Sequence, residues 1–317
     1  MSPASFLKVI KPGLLTTVQD LGRYGHQAAG VPVAGPMDTF SHRLANQLAG
    51  NPPDAATLEI TLIGPELVAE ADTTLATAGA QFDMTCDDRP VMTGTSFLVR
   101  AGQRIKFGRI LQGARAYLAM AGGVQTRPVL GSRATHLVSR MGGLDGRALV
   151  AGDRVPILAE AIPRPARKSE GFTLPTKGRA LLRVMPGPQA DWFQADALKT
   201  IAGVSFRISP RSNRMGYRLE GPPLPRVHDR ELISEPLGIG AIQVPSAGEP
   251  ILLMADRQTA GGYPKIGYVI SADLPLAGQL APGDFIEFAL CSQQEAVAAL
   301  IARERQLLRH ASLRDLS

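Results

Sequence analysis

Cysteine is nearly missing from this chain. Only Cys86 and Cys291 occur in 317 residues, far apart and in no CxxC pair, so a disulfide framework is excluded. The five histidines are dispersed; no metal-ligand spacing appears, and no metal is expected. Aromatic residues make up 5%. Single-strand binding needs aromatic stacking platforms, and the positive charge is scattered, so no nucleic-acid partner is expected. No run of about 18 apolar residues occurs, and residues 1–15 lack a continuous apolar stretch, so neither a membrane anchor nor an export signal is read. The expected location is cytoplasmic. Charged residues are also modest at 20%, while hydrophobic residues reach 44%, a balance that belongs to globular chains.

What is abundant is Gly (33) and Pro (25). They are spread along the chain, which reads as frequent turns between short strands. The net charge is +6. Seven of the 34 basic residues are lysine, so 27 are arginine, whose planar fork suits carboxylates and phosphates. The length fits two domains of roughly 150 residues.

Strands are predicted at 6–10, 58–62, 75–78, 96–99, 104–107, 116–120, 181–184, 205–208, 240–244, 251–254 and 285–288. Each is bounded by turn residues, a pitch that suits barrels or sandwiches. Three helices are predicted. Asp38 caps one whose Phe40, Leu44 and Leu48 share a face before Gly50. A second covers 190–199 with Trp192, Phe193 and Leu198. The third opens with Ser292-Gln-Gln-Glu295, a capping-box pattern, and carries the apolar line Val297, Leu300, Ile301, Leu308, which is expected to pack in a core.

The chain echoes itself. Leu7-Lys-Val-Ile-Lys-Pro-Gly13 resembles Leu182-Arg-Val-Met-Pro-Gly187; Met37 with Arg43-Leu44 resembles Met215 with Arg218-Leu219; and Phe107 closes a segment like that ending at Phe288. The expected fold is mainly β: two β-rich halves, 1–165 and 175–317, with a few short helices and segments that cross between halves. The divider is placed in the polar stretch Ala159–Gly178, with a ligand cleft expected at the seam.

Polar, glycine-bounded segments carry the candidate chemistry. Asp20 and Arg23 stand beside Gly22 and Gly25, able to fix a polar ligand or to close a loop. Gly30–Asp38 ends at a helix N-terminus suited to an anion, unless Asp38 is simply the cap. Arg133 lies in Gly131-Ser-Arg, and a short strand is expected between it and the glycines at 142, 143 and 146. The densest stretch is Ser209–Arg218, with Asn213, Arg214 and Tyr217. Its expected partners are Gln243-Val-Pro-Ser246 and, above all, Asp256-Arg-Gln258-Thr259, followed by Gly261-Gly-Tyr263. No GxxxxGK[ST] loop and no GxSxG elbow occur.

Taken together these segments resemble the PxpC (KipA) family, the C subunits of bacterial 5-oxoprolinase, related to the carboxyltransferase domain of urea amidolyase. The matching residues are Thr17–Arg23, Gly30–Asp38, Leu58-Glu59 with Gly64-Pro65, Ser132–Thr135, Pro186–Gln189, Ser212–Gly221, Gly240–Pro245 and Asp256–Thr259 with Gly261–Pro264. Ala260 departs from the family, which commonly has a second Thr there. The resemblance implies two cyclophilin-like β-barrel halves. It implies one part of an ATP-dependent 5-oxoprolinase, acting with subunits A and B on a small amide or lactam. The alternatives are a biotin-dependent carboxyltransferase for urea, with biotin carried on another chain, and a non-enzymatic regulator that binds a partner protein. On this reading Asp256, Gln258 and Asn213 are the catalytic candidates. Asp20, Arg23, Asp38, Arg133, Arg214, Tyr217, Thr259 and Tyr263 are the substrate-binding candidates, with the cleft halves meeting across the seam.

Overall fold

The structure is a computed structural model that describes residues 5–158, 167–169, 173–228 and 230–312. The chain divides into two compact units. The first comprises Met1–Arg23, Ala34–Leu174 and Leu307–Ser317, and the second Tyr24–Val33 and Pro175–Gln306. Part of the predicted divider, 159–166 and 170–172, lies outside the described residues.

The first unit contains β1 (Ser5–Lys11), β2 (Leu15–Gln19), α1 (Thr39–Leu48), β3 (Thr57–Thr61), β4 (Glu66–Ala69) and β5 (Thr73–Cys86). It continues with β6 (Arg89–Val91), β7 (Ser96–Val99), β8 (Arg104–Met120) and β9 (Arg154–Ile157). They form one nine-stranded sheet in the order β2-β3-β8-β4-β1-β9, with β5 branching from β8 to carry β6 and β7. Successive side chains of a strand face opposite sides, and here both sides are covered. In β8, Ala116, Leu118 and Met120 enter a core with Leu7, Leu58 and Phe82. Tyr117 and Ala119 enter another beneath α1, with Ala76 and Ala78. Burial on both faces explains the unbroken apolar run. Small alanines in the sheet let α1 lie close with Phe40, Leu44 and Leu48, the three residues predicted from spacing. Asp38 caps α1: its Oδ1 accepts from Ser41 N at 2.8 Å.

Two predicted strands, 104–107 and 116–120, are one 17-residue strand. Gly108 and Gly113 read as turn residues, yet they sit inside β8. The β5–β8 register shifts three times between Gly79 and Met84, and such bulges bend a long pair without ending it. A Cβ on Gly108 would lie 2.4 Å from Asp83 O, so the close approach of the two strands requires glycine there.

The second unit contains β10 (Arg179–Pro186), α2 (Ala197–Gly203), β11 (Ser205–Ile208), β12 (Gly216–Glu220), β13 (Glu235–Pro236) and β14 (Ala241–Gln243). It continues with β15 (Ile251–Leu253), β16 (Ala260–Gly261), β17 (Lys265–Val269), α3 (Leu274–Gly278), β18 (Phe285–Leu290) and, up to Gln306, α4 (Gln293–Ser312). Seven strands close a barrel in the order β10-β17-β14-β15-β12-β11-β18, and β13 pairs with β16 as a separate ribbon. The barrel closes through the parallel pair β10–β18. The fold is mainly β, as the sequence implies.

Some expectations are corrected. The helix predicted at 190–199 is a single 3₁₀ turn, Ala190–Trp192, followed by α2. Phe193 between them is extended (φ −106°, ψ 162°) and bridges to Arg226. The apolar line of α4 does not pack in a core: Val297, Leu300, Ile301 and Leu308 are 40–62% exposed, and Leu307 is the residue buried. The internal echo holds where β1 and β10, the first strand of each unit, run into Pro-Gly, and where Phe107 and Phe288 lie in strands that follow a Gly turn, but fails between them. Met37 precedes helix α1, whereas Met215 precedes strand β12.

Candidate functional site

The polar stretch 209–218 connects β11 to β12 as a tight turn. Met215 N donates to Asn213 Oδ1 at 2.8 Å, Arg218 N to Ser212 Oγ at 3.0 Å and Asn213 N to Gly216 O at 3.2 Å. An asparagine that accepts from the backbone two residues on is a turn former, and that bond leaves its amide nitrogen free to donate elsewhere.

Beneath the turn lies a buried ion pair. Arg214 Nε donates to Asp256 Oδ2 at 2.9 Å and Nη2 to Oδ1 at 3.0 Å, with both side chains about 95% buried. Asp256 N donates to Arg214 O at 2.9 Å, and Met254 N to Met215 O at 3.0 Å. The sequence reading put these two stretches on opposite sides of a seam. They meet instead within the second unit, on neighbouring barrel strands β12 and β15. A bidentate pair in low dielectric is geometrically specific, so Arg214 and Asp256 lock the Asn213 turn to the Gln258 loop.

A cavity of about 220 Å³ opens above this lock. Its polar lining is Arg211, Asn213, Arg218, Gln243, Gln258 and Tyr263; Met215, Leu237, Ile251 and Leu253 supply apolar surface. Three predicted residues, Asn213, Gln258 and Tyr263, therefore converge on one cavity. Thr259 stands beside them, its carbonyl accepting from Leu237 N at 3.0 Å. Tyr217 is 1% exposed and donates to Leu280 O at 3.1 Å, which makes it part of the barrel interior. Burial pulls the Arg257 guanidinium below its usual range; its Nε donates to Leu237 O at 3.0 Å.

The remaining predicted residues belong to the first unit, where the fold itself uses their polar groups. Asp20 Oδ1 accepts from Ser132 Oγ at 2.6 Å and from Gly22 N at 3.0 Å, and Oδ2 accepts from Arg133 N. Arg23 is 1% exposed, donating from Nε to Val129 O and from Nη2 to Ala134 O, each at 2.9 Å. Desolvation lowers its pKa, and the Asp20 charge opposes that shift. Both residues thus tie the 129–135 loop to the end of β2. Arg133 Nε donates to Thr126 O at 2.7 Å. Asp38 gives both carboxylate oxygens to Ser41, the capping alternative. The strand expected between the Gly131 and Gly142 loops is absent among the described residues; only isolated bridges occur there. The glycines serve close packing instead. Gly143 has φ +57°, and a Cβ on it would lie 1.9 Å from Thr135 Oγ1.

Sequence reasoning placed Arg211 and Arg218 in the densest polar stretch and Gln243 at the head of a partner run, Gln243–Ser246, but gave none of the three a role at the site. Gln243 ends the three-residue strand β14. Sequence reasoning also missed an ion pair in the second unit, buried at Lys265 and partly exposed at Glu235. Lys265 is 1% exposed, its ammonium bound to the Glu235 carboxylate, and burial lowers its pKa. Among the described residues there is no group of three or more His, Cys, Asp or Glu able to hold a metal, and no helix long and apolar enough to cross a membrane.

The β-scaffold of the second unit thus gathers carboxamides, arginines and a tyrosine around one small cavity, the candidate site of the chain. The chain belongs to the carboxyltransferase domain family, subdomains A and B, which matches residues 29–290. It is 41% identical to the C subunit of 5-oxoprolinase from Escherichia coli (strain K12) over 94% of this chain and 96% of that protein. Among solved structures, TTHA0988 is 38% identical with a TM-score of 0.82, covering 91% of this chain and 56% of that one. The urea amidolyase of K. lactis is 30% identical with a TM-score of 0.89, covering 96% of this chain and 20% of that one. The chain thus spans little more than half of one solved relative and a fifth of the other.

Proposed function

We propose that this chain is the part of an ATP-dependent 5-oxoprolinase that binds the lactam, working with two partner subunits to convert 5-oxo-L-proline to L-glutamate. The observation that carries the reading is the convergence of Asn213, Gln243 and Gln258 with Arg211 and Arg218 on one cavity, in a chain so similar to the C subunit of a 5-oxoprolinase. A lactam offers an N–H donor and a C=O acceptor side by side, and a carboxamide is the complement of each. Asn213 Nδ2 donates to the lactam oxygen, a carboxamide oxygen of Gln243 or Gln258 accepts from the lactam N–H, and an arginine holds the carboxylate. Charge that develops on the lactam oxygen is met by fixed donors, without a covalent nucleophile from this chain.

The cavity fits a small amide. At about 220 Å³ it falls short of the roughly 300–1,000 Å³ that larger ligands occupy. ATP enters the reaction through the complex with the partner subunits. The fold match to urea amidolyase supports a second reading, carboxyl transfer to urea or a similar amide from biotin carried on another chain. The same carboxamides would hold either amide.

The test is reconstitution. Glutamate release from 5-oxoproline is measured with ATP and the partner subunits, with and without this chain. Gln258→Ala is expected to raise KM about fivefold, the loss of one net hydrogen bond of about 1 kcal/mol, and Asn213→Ala to lower kcat as well, because its donor meets charge that develops in the transition state. Full turnover without this chain ends the reading. Allophanate formation from carboxybiotin and urea, with no 5-oxoproline cleavage, transfers it to the second.

A further inference from the structure

Lys265 begins β17 and lies opposite Gln243 of β14, so the two share one face of the barrel wall. Gln243 lines the cavity; Lys265 is buried beside it, its ammonium bound to Glu235. Gln189 braces both members of the pair. Its Nε2 donates to Glu235 Oε1 at 3.2 Å, and its Oε1 accepts from Lys265 N at 3.1 Å. Taking an ammonium out of water costs several kcal/mol, and an apolar chain of equal length would pack there without that cost.

What the pair holds is visible in the neighbouring ribbon. Glu235 belongs to β13, which is two residues long and pairs only with β16 among the described strands, Glu235 opposite Gly261. Two residues on, Leu237 N donates to Thr259 O, and Arg257 Nε donates to Leu237 O, both at 3.0 Å. The loop from 257 to 263, which brings Gln258 and Tyr263 to the cavity, is thus bonded to a ribbon that lies outside the barrel ladder. Glu235 is the ribbon's charged tie to the barrel wall.

We propose that Lys265 is a positioning residue: acting through Glu235, it fixes the 257–263 loop, and with it Gln258 and Tyr263, at the rim of the cavity. The effect on turnover rests on the function proposed above; the effect on the loop does not.

Two readouts keep these apart. Hydrogen exchange of the full chain is compared between the native protein, Lys265→Met and Glu235→Gln. The second variant is isosteric at a partly exposed position and serves if the first does not fold. Amides of 257–263 are expected to exchange about tenfold faster in each variant, while those of β15 and β17 stay within about threefold. In the assembled complex, KM for 5-oxoproline rises about fivefold with kcat within about twofold. Unchanged loop exchange in Glu235→Gln overturns the proposal, as does equal loosening of loop and barrel strands, which marks a merely structural ion pair. Faster loop exchange with unaltered KM supports the positioning role and removes the cavity from substrate binding.

Discussion

His42 should make the stability of the first unit fall as pH drops below neutrality. The ring is completely buried. Its Nδ1 lies 3.0 Å from Thr57 Oγ1, and Asn46 Nδ2 approaches Nε2 at 3.4 Å. Thr57 Oγ1 can donate or accept and an amide nitrogen only donates, so these partners suit a ring with one N–H and one bare nitrogen, the neutral form. Tyr117 packs edge-on at 5.9 Å. Burial is the largest cause that brings the pKa from 6.5 down to about 4, opposed by the Asp20 charge. Below pH 6.5 the unfolded chain takes up a proton that the folded chain refuses. Stability therefore declines from about pH 6.5 to about 4 and gains no further decline from this residue below that. Between pH 7 and pH 5 the linkage amounts to about 2 kcal/mol. Urea denaturation at the two pH values, on the native protein and His42→Gln, measures it. The variant starts less stable at pH 7 but loses about 2 kcal/mol less on acidification. The imidazole resonance of His42 should also stay fixed between pH 7.5 and about 5.5. Equal losses in both proteins, or a ring that titrates near 6.5, refute the reasoning.

Other consequences follow from the same bonds. Asp256→Asn removes the carboxylate from Arg214 and should cost about 3–5 kcal/mol in chemical denaturation, with Arg214→Met/Asp256→Leu recovering most of it; a loss of activity in Asp256→Ala then reports the lock rather than a missing base. Gly143→Ala places a methyl group against Thr135 at a left-handed φ and should cost roughly 1–3 kcal/mol, seen as a lower Tm. Ser292→Ala removes the Oγ that accepts from Glu295 N and donates to Glu295 Oε2, and amides of the first turn of α4 should exchange faster by about 1 kcal/mol of lost protection.

The legible part of this protein is local. Asp38 and the Phe40–Leu44–Leu48 spacing foretold α1 because a cap and a 3.6-residue period are written in a dozen adjacent residues. Ser292 and Glu295 foretold the start of α4 for the same reason. The illegible part depends on partners far along the chain. Gly108 and Gly113 look like turn residues until β5 lies against them. Asp20 and Arg23 look like ligand groups until the 129–135 loop, more than a hundred residues away, supplies their acceptors and donors. At the candidate site the clustering of Asn213, Gln258 and Tyr263 was readable from two polar stretches. The bounds 175–317 put them in one half, but their direct apposition was not readable, because it comes from the β12–β15 pairing and the Arg214–Asp256 bonds. Lys265 stood in an apolar strand with no local sign that Glu235 would meet it.

The closed β10–β18 ladder has a consequence for assembly. A barrel whose seven strands each have two neighbours offers no vacant rim of amides on which another chain could lengthen the sheet. The first unit's main sheet ends in β9 and β2; in β9 Pro156 has no N–H and its carbonyl accepts from Gln125 N at 2.8 Å, while the β2 carbonyls of Thr16 and Val18 accept from Leu149 N and Thr135 N, each at 2.9 Å. Strand addition is thus closed to the barrel, obstructed at β9 and hindered at β2, and a companion protein that extends a sheet is left with β6, β7 or the β13–β16 ribbon among the described strands.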